Sequence, residues 1–254
     1  MEMFNLEGKT AVVTGGTRGI GLMIARGLAK AGARVVVTAR KADTGAEAVA
    51  ELSSLGEAVF IAADLSKEEA SLELAAAVDE IGGAHILVNN AGAAWGAPLA
   101  EFPAAGWDKV LDLNLKAPFF VSRAFVPQLE RSGTTENPAR IINIGSIDGM
   151  RIPDFNNYSY TASKAAVHML TRVLAKELGQ RHITVNAIAP GPFPSKMMAE
   201  LLVTKEAEFA ASSPLGRIGK SEDMEAAAVY LASPGAAWVT GAILPVDGGI
   251  WTTL

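Results

Sequence analysis

The 254 residues contain no cysteine, which excludes disulfide frameworks, thiolate metal centres and cysteine nucleophiles. Histidine is nearly as scarce, and His85, His168 and His182 are too scattered to suggest a cluster, so no metal is expected. Basic residues are outnumbered, 22 Lys and Arg against 27 Asp and Glu. The resulting formal charge of −5 gives no support to a protein that tracks nucleic-acid phosphates. No apolar run approaches the roughly 18 residues of a membrane span, because Gly, Asn, Arg and Asp interrupt every candidate. Residues 1–9 carry Glu2 and Glu7 and lack the basic start and long apolar stretch of a signal peptide, so a cytoplasmic protein is expected. What is abundant is apolar side chain: 50% of residues are hydrophobic and 19% charged, enough for a sizeable core in one large domain.

Short β-branched runs alternate with Ala-rich segments of helical period, the pattern of repeated βα units around a parallel sheet. Strands are expected at 10–14, 34–38, 58–62, 85–89, 140–145, 184–189 and 242–246, with a first helix at 20–31 and long helices at 107–129 and 160–180. Runs such as Val35-Val36-Val37 suit strands covered on both faces. The rhythm breaks at 190–215, where Pro190, Pro192, Pro194 and Pro214 bracket Met197, Met198, Leu201 and Leu202. Prolines stop regular structure, and a substrate lid is expected there.

Directly after the first strand comes Thr14-Gly15-Gly16-Thr17-Arg18-Gly19-Ile20-Gly21, opening an apolar helix. Glycines let the backbone turn tightly and approach a pyrophosphate, which then sits against free amides at the helix N-terminus. A strand before and a helix after are the context such a loop needs to bind a dinucleotide. The second strand ends in Val37-Thr38-Ala39-Arg40-Lys41, without the acid that commonly binds the ribose hydroxyls of NAD. Arg40 and Arg18 stand where a 2′-phosphate would lie, which favours NADPH/NADP+.

Tyr160 and Lys164 stand four apart at the start of a helical stretch, hence on one face about one turn apart. A nearby ammonium favours phenolate and is expected to lower the Tyr160 pKa toward neutrality. Tyr158 has Ala162 as its fourth neighbour and lacks such a partner. Ser146 follows the fifth strand at its carboxyl end, where open α/β sheets hold ligands, and Asn114 lies in an apolar helical stretch.

With these motifs in order, and with Asp64-Leu65, Asn89-Asn90-Ala91-Gly92 and Pro190-Gly191 following the third, fourth and sixth strands, the chain resembles the short-chain dehydrogenase/reductase family along essentially its whole length. The resemblance implies a Rossmann-type doubly wound seven-stranded parallel α/β sheet in a single domain spanning residues 1–254. It assigns Tyr160 as general acid, Ser146 as the group that orients the carbonyl oxygen, and Lys164 as the tuner of Tyr160 and binder of the nicotinamide ribose. Asn114 would hold a water in a proton relay. Gly15, Thr17, Arg18, Gly19, Ile20, Gly21 and Arg40 fall at the phosphates, Asp64 and Leu65 at the adenine, Asn90, Ala91 and Gly92 along the ribose side, and Pro190, Gly191, Phe193 and Ser195 around the nicotinamide.

Within the family, the run 190–195 is similar to that of NADPH-dependent β-ketoacyl reductases, including the type associated with rhamnolipid synthesis. Trp95, Met150, Ile152, Phe155, Phe193, Met197 and Met198 are candidates to surround the Tyr160 hydroxyl, an apolar set suited to a ketone with an apolar chain. Arg181 falls where the resemblance places a basic residue for carrier-protein docking near the site entrance. Glu136 and Asn137, in a longer segment at 132–138, stand where another would help, so a coenzyme A ester or a free ketone stays open beside an acyl-carrier substrate. Two other readings compete: an NAD-dependent alcohol or polyol dehydrogenase, disfavoured by Ala39-Arg40, and a non-catalytic nucleotide-sensing protein, expected to lack Tyr160 or Lys164. The apolar residues of the two long helices and of Ile250, Trp251 and Leu254 point to a homo-oligomer, expected as a homotetramer.

Overall fold

The computed structural model describes residues 2–195 and 198–253; Met197 and Leu254 fall outside these. The strands β1 (Thr10–Thr14), β2 (Arg34–Ala39), β3 (Ala58–Ala62), β4 (Ile86–Asn89), β5 (Ala139–Ile144), β6 (Ile183–Pro190) and β7 (Ile243–Val246) form one sheet in the order β3-β2-β1-β4-β5-β6-β7. Every pairing is parallel. Parallel strands need crossovers, and these are α1 (Gly19–Lys30), α2 (Ala42–Leu52), α3 (Glu68–Glu80), α4 (Ala104–Leu111) continuing into α5 (Ala117–Ser132), α6 (Tyr158–Leu178), α7 (Ala199–Ser212) and α8 (Ser221–Ala232), with a terminal turn α9 (Ile250–Thr253). All seven strands lie within one residue of their expected bounds, and the chain has the doubly wound Rossmann-type fold.

Covering both faces produces two large apolar clusters. Val13, Val35, Val37 and Ile142 pack on one side with Ile24 and Leu28 of α1 and Met224 of α8. Val12, Val36, Leu87 and Ile141 pack on the other with Leu74, Phe125 and Leu174. The two helices α1 and α8 meet closely because Gly27 has no Cβ, and one there would lie 2.8 Å from the Glu225 backbone.

The single helix expected at 107–129 is instead α4 and α5 joined by a π-helical turn, Asp112–Lys116. A π turn inserts one extra residue and rotates the following face. Asn114, within that turn, is buried. The break at 190–215 begins where β6 ends at Pro190 and includes α7, after which Ser213 and Pro214 pack against Gly248 and Gly249. No helix among the described residues is long and apolar enough to cross a membrane.

Candidate active site

Strand order reverses between β1 and β4, so the loops leaving their carboxyl ends diverge and open a crevice. The glycine loop lies in it, and its composition has steric causes. Gly15 has φ +63°, and a Cβ there would sit 3.1 Å from Ala91 Cα. A Cβ on Gly21 would collide with the Asn90 amide and the Gly15 carbonyl oxygen. Thr14 ties the two loops together: its hydroxyl accepts from the backbone N–H groups of Asn90 (2.9 Å) and Ala91 (3.0 Å), while Asn90 Nδ2 donates to Thr14 O (2.8 Å) and Gly15 O (3.1 Å). Thr14 was not among the expected site residues, although its place at the end of β1 was the available signal.

Across the crevice the run after β6 closes on the loop. Gly19 has φ +54°, and a Cβ there would meet Ser195 Cβ at 3.3 Å. Thr17 and Ile20 are partly exposed along this cleft, Asp64 is half-buried and accepts from Ser66 Oγ at 2.8 Å, and Leu65 is buried. Arg18 and Arg40 are exposed, and neither makes an ion pair among the described residues.

The second half of the site is built on α6. Tyr160 and Lys164 lie on its first turns, and Ser146 follows β5. Ser146 faces the Tyr160 phenol closely enough to favour its charged form, and its hydroxyl accepts from Asp148 N at 3.1 Å. The Lys164 ammonium donates to Ile144 O at 2.7 Å and lies 5.5 Å from the Tyr160 ring centroid. Asn114 Nδ2 donates to Ala93 O (3.0 Å) and Ser163 Oγ (3.0 Å), and its Oδ1 accepts from Ala93 N (2.8 Å). It therefore clamps the loop after β4 to the first turns of α6, which Ser163 extends by donating to Tyr160 O at 2.7 Å.

The expected lowering of the Tyr160 pKa is reversed: the phenol is pushed up to about 12, chiefly by desolvation, with Ser146 pulling it down and the Asp148 carboxylate pushing it up. Lys164 is over the ring face, occupied with a carbonyl, so its charge does not offset the loss of water around the phenol oxygen. Burial also lowers the Lys164 pKa, to about 8.

Two further expectations are corrected, the pocket role of the Phe193 side chain and the docking position of Arg181. Phe193 is 2% exposed and its ring packs in the main core against Gly219, so its side chain does not line a pocket; burying such a ring is worth roughly 2–3 kcal/mol. Trp95, in the loop after β4, packs over Gly106 of α4 and under the Lys109 ammonium, and Ile152 is 92% exposed. Arg181 sits between α6 and the start of β6, the opposite end of the strands from the crevice, and is held in a two-point pair by Glu130 at 3.0 and 2.7 Å. Of the other pocket candidates, Met150 is half-buried against Ile147 and Ile250, Met198 is half-buried, Phe155 packs on Phe209 of α7 at 6.2 Å, and Met197 is outside the described residues.

A glycine cradle at the switch point of a parallel sheet, facing a Ser, Tyr and Lys set, defines a class of nucleotide-dependent oxidoreductases, and the chain belongs to the short-chain dehydrogenase/reductase family. A family profile described as enoyl-(acyl carrier protein) reductase matches residues 15–251. More particularly, the chain is 48% identical over 249 residues to the rhamnolipids biosynthesis 3-oxoacyl-(acyl-carrier-protein) reductase of Pseudomonas aeruginosa, covering 97% of each chain. It is 40% identical to a galactitol 2-dehydrogenase of Cereibacter sphaeroides, with 98% of each covered. The solved Pseudomonas aeruginosa RhlG/NADP active-site complex superimposes with a TM-score of 0.96 at 46% identity, covering 99% of each chain.

Proposed function

We propose that the protein is an NADPH-dependent reductase that converts a ketone, a β-ketoacyl thioester or another carbonyl with an apolar chain, to a secondary alcohol. The observation that carries this reading is the convergence of Ser146, Tyr160 and Lys164 at the carboxyl end of β5, opposite the glycine loop. The cradle fits a dinucleotide: Gly15, Gly19 and Gly21 leave room that any Cβ would fill, and Arg18 and Arg40 have cationic groups free to meet a 2′-phosphate. Gly15, Thr17, Gly19, Ile20 and Gly21 would hold the pyrophosphate, Asp64 and Leu65 the adenine, Asn90, Ala91 and Gly92 the ribose side, and Pro190, Gly191, Phe193 through its backbone, and Ser195 the nicotinamide.

When bound, the cofactor supplies the hydride. Ser146 donates to the substrate carbonyl oxygen and draws it toward Tyr160. With its pKa raised, the Tyr160 phenol retains its proton at neutral pH, so the donor form is the resting form, and it protonates the oxygen as charge develops there. Lys164, on leaving the Ile144 carbonyl, holds the ribose and brings its charge to the phenolate left behind. Asn114 fixes the first turns of α6 on which both groups stand and carries the proton path to solvent.

Residues 190–215, with α7 stacked through Phe209 on Phe155, serve as the substrate lid of a single domain. Exposed Phe119 on α5, Met169 and Val173 on α6, and Trp238 and Trp251 near the carboxyl end support a homotetramer. A cytoplasmic setting fits the cysteine-free composition and reduced cofactor.

The test is a titration of NADPH and NADH against a panel of β-ketoacyl groups on carrier protein, on coenzyme A and free. NADPH is expected to be preferred, and Arg40→Ala to raise its KM far more than that of NADH. Equal use of both cofactors, or activity confined to polyols, contradicts the reading.

A further inference from the structure

His168 lies on α6 four residues after Lys164, hence on the same face and one turn further along. It is 5% exposed, its Nε2 is buried, and no hydrogen bond satisfies it among the described residues. A buried ring nitrogen without a partner is costly and calls for a reason. Its seat is made by Gly145: a Cβ on that residue would collide with Nε2, so only glycine lets the ring reach the end of β5. The Lys164 ammonium is bonded to the carbonyl of Ile144, the residue before Gly145. Both α6 side chains thus converge on one peptide segment immediately before Ser146.

We propose that His168 is a positioning residue for Lys164: its uncharged ring, admitted by Gly145, supports the lysine stem from below and offers an acceptor dipole that keeps the ammonium charged and aimed at the site. A protonated ring there would place a second cation beside the first. Burial and then the charges of Lys164 and Arg172 lower the His168 pKa to about 4, and no carboxylate opposes them, so the ring is neutral at working pH. On the β5 side the neighbours are Gly145 and the neutral Asn143, whose Nδ2 donates to Thr171 on α6. The catalytic meaning rests on Lys164 acting as proposed above, whereas the coupling between the two side chains does not.

The coupling is read by imidazole NMR titration of the full-length protein, where only three histidines contribute. His168 is expected to stay neutral down to about pH 4 and to titrate higher in Lys164→Met. The second readout is the pH dependence of NADPH-dependent reduction. His168→Leu should move the alkaline limb of kcat/KM down by about half a pH unit or more and raise the KM for NADPH, and His168→Gln, which keeps an acceptor, should restore both. An unchanged His168 titration in Lys164→Met overturns the proposal even where the leucine variant fails to fold or the wild type reduces no ketone. A limb that stays in place in a folded His168→Leu protein overturns it equally, since a purely packing role would lower only Tm.

Discussion

At the residue scale, the spacing of Tyr160 and Lys164 was enough to pair them, but not to give the sign of their titration. That sign depends on how much water the fold removes, which a sequence does not display. Both groups lose solvent, and loss of solvent opposes whichever form is charged: the phenol rises to about 12 and the ammonium falls to about 8. The pH dependence follows. Reduction needs Lys164 protonated, so kcat/KM should be level from neutrality and fall as pH rises through about 8, with no further titration of Tyr160 until far more alkaline. A pH-rate profile in the reductive direction checks this, and a limb near the ordinary lysine value would contradict it.

At the element scale, the inner strands were legible because each is a short apolar run, and burial on both faces leaves no other use for such runs, while the half-buried edge strands β3 and β7 were legible from their place in the βα rhythm. The π turn at Asp112–Lys116 was not legible. It depends on Asn114 finding Ala93 and Ser163 at once, contacts 21 and 49 residues away in the chain. Phe193 was misread for a related reason: its neighbours in sequence are prolines of the irregular run, while the space its ring fills is opened by the distant Gly219. The glycine loop is the element where sequence and packing agree most closely. Gly21→Ala should weaken NADPH binding at least tenfold and lower Tm, because the new methyl must displace the Asn90 amide that joins the loops after β1 and β4. Isothermal titration with NADPH and a melting curve would separate the two effects, and a variant with unchanged affinity would show the close approach to be dispensable.

At the scale of the whole molecule, the sheet gathers one end of every strand into a single crevice, and residues as far apart as Gly15 and Ser195 meet there. The apolar side chains left outside, with Met169 and Val173 more than half exposed on α6 and Trp238 fully exposed, lead us to expect a tetramer by light scattering at micromolar concentration; a monomer would contradict that. The central claim is narrower, that Tyr160 delivers the proton while NADPH delivers the hydride. It is tested most directly by the turnover of Tyr160→Phe with NADPH and a β-ketoacyl thioester, measured beside its NADPH affinity. Removing one oxygen should cut kcat by at least roughly a hundred-fold with affinity largely kept, whereas Tyr158→Phe, whose ring leans on Phe102 at the surface, should be near wild type. A Tyr160→Phe enzyme reducing the ketone at a near-normal rate would contradict the account.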